Sequence, residues 1–217
     1  IPMIEHFSSS TCGPCVEVNA GMEEFTNENE GKFTYTKYPM NWPGSGDPYY
    51  PSEAGIRKTF YDVSGVPKIF FDGIVDESYA IEPEELEAKL ATPSIVNIRG
   101  AFNMDGNTIN VTADFMSYID IDNMKAFISV NEKTTTENVG SNGETEFHHI
   151  MMKMLEDAEG NDISISAGEY QSFEFSYDMS TTNVEDINDL EVALWLQDTE
   201  TKEIFNSRFA YEYTEHA

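Results

Sequence analysis

Cysteine is scarce. Cys12 and Cys15 are the only two in 217 residues, and their closeness leaves no disulfide framework to staple distant parts of the fold. That spacing is redox chemistry, a fixed local disulfide or half of a metal site. Basic residues are scarce too: 12 Lys and Arg stand against 40 Asp and Glu, a net charge of −28. No basic patch exists to neutralise phosphates, so nucleic acid is not an expected partner and anionic membrane surfaces are poor ones. The acidity is spread over both halves, as solubility requires, rather than gathered at one cation site. No apolar run approaches the roughly 18 residues of a transmembrane helix, and no signal or lipidation motif is present. The opening Ile1-Pro2-Met3-Ile4 already reads as strand, so a mature or excised piece of a longer precursor is expected. The Asp120, Asp122, Asn123 cluster lacks the glycine and terminal glutamate of a calcium loop and reads as a turn. His148 and His149, adjacent on a strand, are expected on opposite faces and so unable to share a metal. Near the cysteines only His6 offers a further ligand, and a structural zinc takes four. Neither metal nor cofactor is expected.

What is present changes character near residue 92. Up to there, strand and helix signals alternate. Residues 4–7 read as a strand. Residues 15–25 carry Val18, Met22 and Phe25 at helical spacing, with Gly31 as a helix-closing residue. Residues 32–38 alternate, with Phe33, Tyr35 and Lys37 on one face. A loop rich in Pro, Gly and Tyr follows, then a helix over 52–61, a buried strand over 66–71 and a hairpin turn at Asp72-Gly73. Pro83 sits where a helix start tolerates proline. Beyond residue 93, strand-like runs recur at 95–102, 108–118, 124–131, 146–155, 170–177, 190–197 and 204–213, separated by Asp, Asn and Gly turns. That pattern predicts an immunoglobulin-like β-sandwich. Two domains are therefore expected, 1–92 and 93–217.

The segment Ser10-Thr11-Cys12-Gly13-Pro14-Cys15 lies where a strand gives way to a helix. Disulfide exchange proceeds by thiolate attack, so the nucleophile must ionise near neutral pH. A helix N-terminus favours the thiolate through unpaired N–H groups and the positive end of the dipole. Cys12, just before that terminus, is expected to be the exposed attacker. Cys15, in the first turn, is expected to be the buried resolver. Gly13-Pro14 makes the tight turn between them. A second element is Gly65-Val66-Pro67, a proline ahead of the apolar Ile69-Phe70-Phe71 run.

These motifs resemble thioredoxin over residues 1–92. Asn41 to Tyr50 and Gly143 to Leu155 extend the resemblance over nearly the whole chain, to the thioredoxin-like outer-membrane antigen family of Bacteroidetes. The resemblance implies an α/β thioredoxin-like domain followed by an all-β immunoglobulin-like sandwich. It implies that the Val66–Pro67 bond is cis and lies against the Cys12–Cys15 disulfide. Val66, next to a proline that breaks the ladder, would then pair with an extended substrate, in a groove shaped by Gly13, Pro14, Pro67 and Trp42. Two positions depart from thioredoxin. Thr11 replaces the tryptophan before the first cysteine, and His6 replaces the buried acid six residues upstream. His6 inherits that acid's role as the group that handles the proton of Cys15.

The function expected is thiol–disulfide exchange on protein or peptide substrates, with an envelope reductase or oxidase as redox partner. The location implied is periplasmic, outer-membrane-associated or extracellular. The alternative is a non-catalytic surface binding or assembly module.

Overall fold

The computed structural model describes residues 1–77 and 81–213. Strands Met3–Ser8 (β1), Thr34–Pro39 (β2), Lys68–Phe71 (β3) and Val75–Glu77 (β4) alternate with helices Cys15–Glu28 (α1), Ser52–Phe60 (α2) and Pro83–Leu90 (α3). The chain then continues as strand: Val96–Asp105 (β5), Thr108–Ser117 (β6), Ile121–Thr135 (β7), Phe147–Met154 (β8), Asn161–Ile165 (β9), Tyr170–Asp178 (β10), Leu190–Asp198 (β11), Ile204–Phe209 (β12) and Tyr211–Glu212 (β13).

Local chemistry explains most element ends. Val18 and Met22, one turn apart on α1, share its buried face, because residues four apart stack on one side of a helix. Asn29 rather than Gly31 closes α1, its N–H reaching the Phe25 and Thr26 carbonyls. Pro83 opens α3, with Glu84 and Glu85 in the first turn and Lys89 in the last, charges placed to suit the dipole. Asp72 and Gly73, in the three-residue turn 72–74 between the paired Phe71 and Val75, both have positive φ, 50° and 76°.

The strands form two sheets. The larger runs β12-β11-β7-β8-β2-β1-β3-β4, with β9 added against β7. The smaller runs β10-β6-β5-β13. Helices α1 and α3 cover one face of the β1–β3 region through Val18, Met22 and Leu86, against Ile4, Tyr35 and Phe71. Helix α2 covers the other, where Phe7, Tyr38 and Phe70 meet Phe127, Met151 and Trp195. The remaining core lies between the two sheets, with Ile98, Val111 and Phe115 facing Ile128, Val130 and Leu194. Each such side chain contributes about 1.5–3 kcal/mol on burial. The outer strand β10 pairs with β6 and alternates between exposed and half-buried side chains along its length.

The expected fold class, an α/β thioredoxin-like domain followed by an all-β immunoglobulin-like sandwich, is overturned. The protein is mostly β, 43% strand against 16% helix, with two mixed sheets. The larger sheet draws on both sides of residue 92, because β8 pairs in parallel with β2 at Lys37 and Ile150. All six residues of β2 are buried, and a strand buried on every side needs a partner for its backbone groups along each edge. Periodicity reveals that a segment is a strand, but not which strand lies beside it.

Side chains also tie the two stretches together. The Arg57 guanidinium of α2 donates to the Glu5 carboxylate at 2.7 and 3.1 Å and to Gln197 of β11 at 2.9 Å. Tyr38 donates to the same carboxylate at 2.7 Å, and Tyr61 donates to its other oxygen. Arg57 and Glu5 are essentially buried, so every acceptor lone pair here needs a donor.

Candidate functional site

Strand β1 ends at Ser8, and the chain turns through Ser9, Ser10 and Thr11 into α1. The turn is held by its own backbone: Cys12 N–H donates to the Ser9 carbonyl at 3.0 Å, and Cys15 N–H to the Cys12 carbonyl at 3.2 Å. Cys12 and Cys15 are joined by a disulfide, with Cα atoms 5.3 Å apart. Gly13 and Pro14, between them, are exposed. The Val66–Pro67 peptide bond is cis, and the Val66 carbonyl oxygen lies 3.5 Å from Cys12 Sγ. Both Val66 and Pro67 are half-buried.

Cys12 departs from expectation. It is 1% exposed and Cys15 is 0% exposed, so neither sulfur is freely presented in the disulfide form. Sequence position at a helix start gave no signal of this, since the covering groups come from distant segments.

Trp42 lies in the β2–α2 loop, half-buried, with the Lys58 ammonium 5.8 Å from its ring centre. It lines a groove of about 440 Å³ with Tyr50, Val63 and Ser64. Thr11 Oγ1 donates to the Pro43 carbonyl at 2.6 Å, joining the Trp42–Pro43 loop to the cysteine turn. Asp47 of the same loop accepts from the Ser10 N–H at 2.9 Å. The structure therefore brings Cys12, Cys15, Val66 and, through its loop, Trp42 into one neighbourhood.

His6 is fully buried on the face of β1 that looks toward α1. Its Nδ1 is 2.6 Å from the Tyr35 hydroxyl, and its Nε2 has no partner. Neither nitrogen bonds to a sulfur. Burial, reinforced by the nearby Lys37 ammonium, pushes the imidazole pKa well below its usual 6.5, so His6 is neutral at pH 7. Lys37 is itself buried, and burial pulls its pKa down to about 8, opposed by Glu144, Glu23 and Asp47.

Polar residues that the sequence reading passed over surround the turn. Asn19 stands one turn after Cys15 on α1; it accepts from Ser8 Oγ at 3.1 Å and donates to both Glu144 oxygens at 2.9 and 3.0 Å. Asn142 Nδ2 donates to the Cys12 carbonyl at 3.3 Å. A polar residue on the apolar face of α1 was the one available signal. His148 and His149 are a further correction: His149 takes φ +57°, which breaks strand alternation, and both rings line one cavity of about 80 Å³ with Asn19, Glu23, Tyr35 and Lys37. Among the described residues no group of three or more His, Cys, Asp or Glu is arranged to hold a metal ion. No described helix is long and apolar enough to cross a membrane.

No protein-family model matches the chain, and no curated protein does. Solved structures do. HBP35 of Porphyromonas gingivalis aligns with all of this chain and 78% of its own, at 14% identity and a TM-score of 0.70. Protein AGR_C_4864 from Agrobacterium tumefaciens aligns with all of this chain and 97% of its own, at 12% identity and a TM-score of 0.63. A domain of the outer membrane lipoprotein Omp28 from Porphyromonas gingivalis covers 56% of this chain and 92% of its own, at 10% identity and a TM-score of 0.39, too slight a likeness to argue from. The first two show that this architecture recurs, one instance in a Bacteroidetes bacterium.

Proposed function

We propose that the chain exchanges thiols and disulfides with protein or peptide substrates outside the cytoplasm. The observation that carries this reading is the Cys12–Cys15 disulfide at the start of α1, with the Val66 carbonyl against Cys12 Sγ. In the reducing direction the Cys12 thiolate attacks a substrate disulfide. One substrate sulfur leaves as a thiolate and takes a proton, and a mixed disulfide remains. The Cys15 thiolate then attacks Cys12 Sγ, releases the second substrate sulfur and restores the Cys12–Cys15 disulfide. Two electrons pass to the substrate, and an external dithiol must return them. In the oxidising direction every step runs backwards.

Gly13, Pro14, Val66, Pro67 and Trp42 would form the substrate groove. The exposed Gly13-Pro14 pair offers approach to the disulfide, and Val66 offers backbone to an extended peptide. His6 would take the Cys15 proton. That role needs the tautomer in which Nδ1–H donates to Tyr35 and the unpartnered Nε2 keeps its lone pair. The low pKa excludes a charged imidazolium at neutral pH as the alternative role. An oxidising compartment such as the periplasm or cell surface suits a stable disulfide, with an envelope reductase or oxidase as partner.

One observation favours a second reading, a non-catalytic surface module: Cys12 is 1% exposed. Insulin reduction driven by dithiothreitol separates the two. The exchange reading requires a rate well above the uncatalysed one and an equilibrium with glutathione within hours. A disulfide that neither equilibrates nor turns over assigns the chain to the second reading.

A further inference from the structure

The connection between β7 and β8, residues 136–146, is remote in sequence from the cysteines yet lies on top of their turn. Asn142 N–H donates to the Ser10 carbonyl at 3.0 Å. Asn142 Nδ2 donates to the Ser9 carbonyl at 3.4 Å and the Cys12 carbonyl at 3.3 Å. The same amide donates to Glu144 Oε2, and Asn142 Oδ1 accepts from the Glu144 N–H at 3.0 Å. Glu144 in turn receives both Asn19 bonds, one helical turn beyond Cys15. The approach is close enough that a Cβ on Gly140 would fall 2.3 Å from the Ser10 carbonyl oxygen, well inside contact distance.

We propose that this strap is a working part of the redox site, with Asn142 and Glu144 as positioning residues that set the ionisation of Cys12. The inference rests on Cys12 and Cys15 being a redox couple, and it adds the element that tunes them. Asn142 fixes the carbonyls of Ser9 and Cys12, and so the orientation of the turn that carries Cys12. The Glu144 carboxylate, one side-chain amide away from Cys12, docks against the first turns of α1. The positive end of the helix attracts both this carboxylate and the Cys12 thiolate. A like charge nearby disfavours ionisation, so Glu144 holds the Cys12 thiol less acidic than the helix alone would make it. The buried charge that interacts with this carboxylate is Lys37 of β2, which in turn interacts with Glu23 of α1, Asp47 of the β2–α2 loop and His6 of β1; His148 of β8 pairs with Glu23 and Glu146 beside them. Lys37 is the cation among them and partly offsets Glu144.

The test uses the full reduced chain. The pH dependence of iodoacetamide alkylation at Cys12 is read by peptide mass spectrometry, and the fraction reduced is read in glutathione buffers. Glu144→Gln is expected to lower the Cys12 midpoint by about one pH unit and to lower the GSH²/GSSG ratio at half reduction. Glu144→Asp keeps the charge and should stay near the parent value. Gly140→Ala alters no charge but pushes the strap from Ser10, and should move the midpoint in the same direction as Glu144→Gln. Should Gly140→Ala fail to fold, the Glu144 pair still decides. A Glu144→Gln midpoint equal to that of the parent overturns the proposal, as does a Glu144→Asp shift as large as that of Glu144→Gln. Neither readout needs a substrate protein. A shift without turnover upholds the strap and removes the exchange reading; turnover without a shift does the reverse.

Discussion

The sulfur of Cys12 lies 3.5 Å from the carbonyl oxygen of Val66, a residue 54 positions later in the chain. In the disulfide Cys12 has no proton to donate. After reduction it does, and the Val66 carbonyl is the acceptor in place. A hydrogen bond made by the neutral thiol favours that form over the thiolate, against the pull of the α1 dipole. The site therefore balances two opposing influences on one sulfur.

If Cys12 is the attacker, Cys15→Ser should trap substrates. The variant is expected to form a stable mixed disulfide through Cys12 with a disulfide peptide, detectable by intact mass, while turnover falls to background. Cys12→Ser should form no adduct. Adducts through Cys15 in that second variant would reverse the assigned roles.

His6 links the site to pH. Its folded pKa is lowered well below 6.5, so below pH 6.5 the unfolded chain binds a proton that the folded chain refuses. Stability contributed by this site is full above pH 6.5 and declines as pH falls, by about 1.4 kcal/mol per pH unit until the folded imidazole titrates. Urea midpoints of the parent and of His6→Asn between pH 7 and 5.5 check this. The variant should show the shallower loss.

The Glu5–Arg57 pair is buried and shared by several donors. Removing one charge leaves the other without its partner, so Arg57→Met should cost about 3–5 kcal/mol. The double change Glu5→Leu with Arg57→Met should cost less than Arg57→Met alone. Chemical denaturation of the three proteins gives the comparison.

Gly73 and Gly106 both have positive φ, 76° and 58°. A Cβ at Gly73 would meet the Lys202 carbonyl oxygen at 2.0 Å, whereas one at Gly106 meets nothing within 4 Å. Gly106→Ala should cost only the left-handed backbone, about 1–2 kcal/mol. Gly73→Ala should cost more, and the difference measures how firmly the β3–β4 turn is seated against the β11–β12 loop. Thermal unfolding of the two variants reads it.

Local pattern carried the sequence reading a long way. The runs around Val18 and Met22, the proline opening α3 and most of the later strands lie within a few residues of the expected bounds. The short strand β9, Asn161–Ile165, is not among the expected strands, because Asn, Asp and Ser leave only Ile163 and Ile165 to mark it. The parallel pairing of β8 with β2 was not legible, because the burial of β2 on every side looks the same in sequence whichever strand supplies the cover. The Cys12–Cys15 motif was legible because it sits at a strand-to-helix junction. Asn142 and Glu144 were not, since an Asn-Gly turn signals a break between strands and nothing about where the loop lands. His149 was misread because alternation assumes extended backbone, which its positive φ abandons.

Among the described residues β10 pairs as a strand with β6 alone, and apart from the bonds of Gln171 to Asp162 and Ser164 of β9 its other flank presents backbone donors and acceptors ready to accept a foreign strand. Glu174 and Asp178 stand exposed along it, on a chain with a net charge of −28. Two copies approaching edge to edge must bring these carboxylates together. That repulsion reaches about 10 Å at 0.1 M salt but only about 3 Å at 1 M. Self-association through this edge is thus governed by ionic strength: dilute buffer keeps copies apart, and concentrated salt removes the guard.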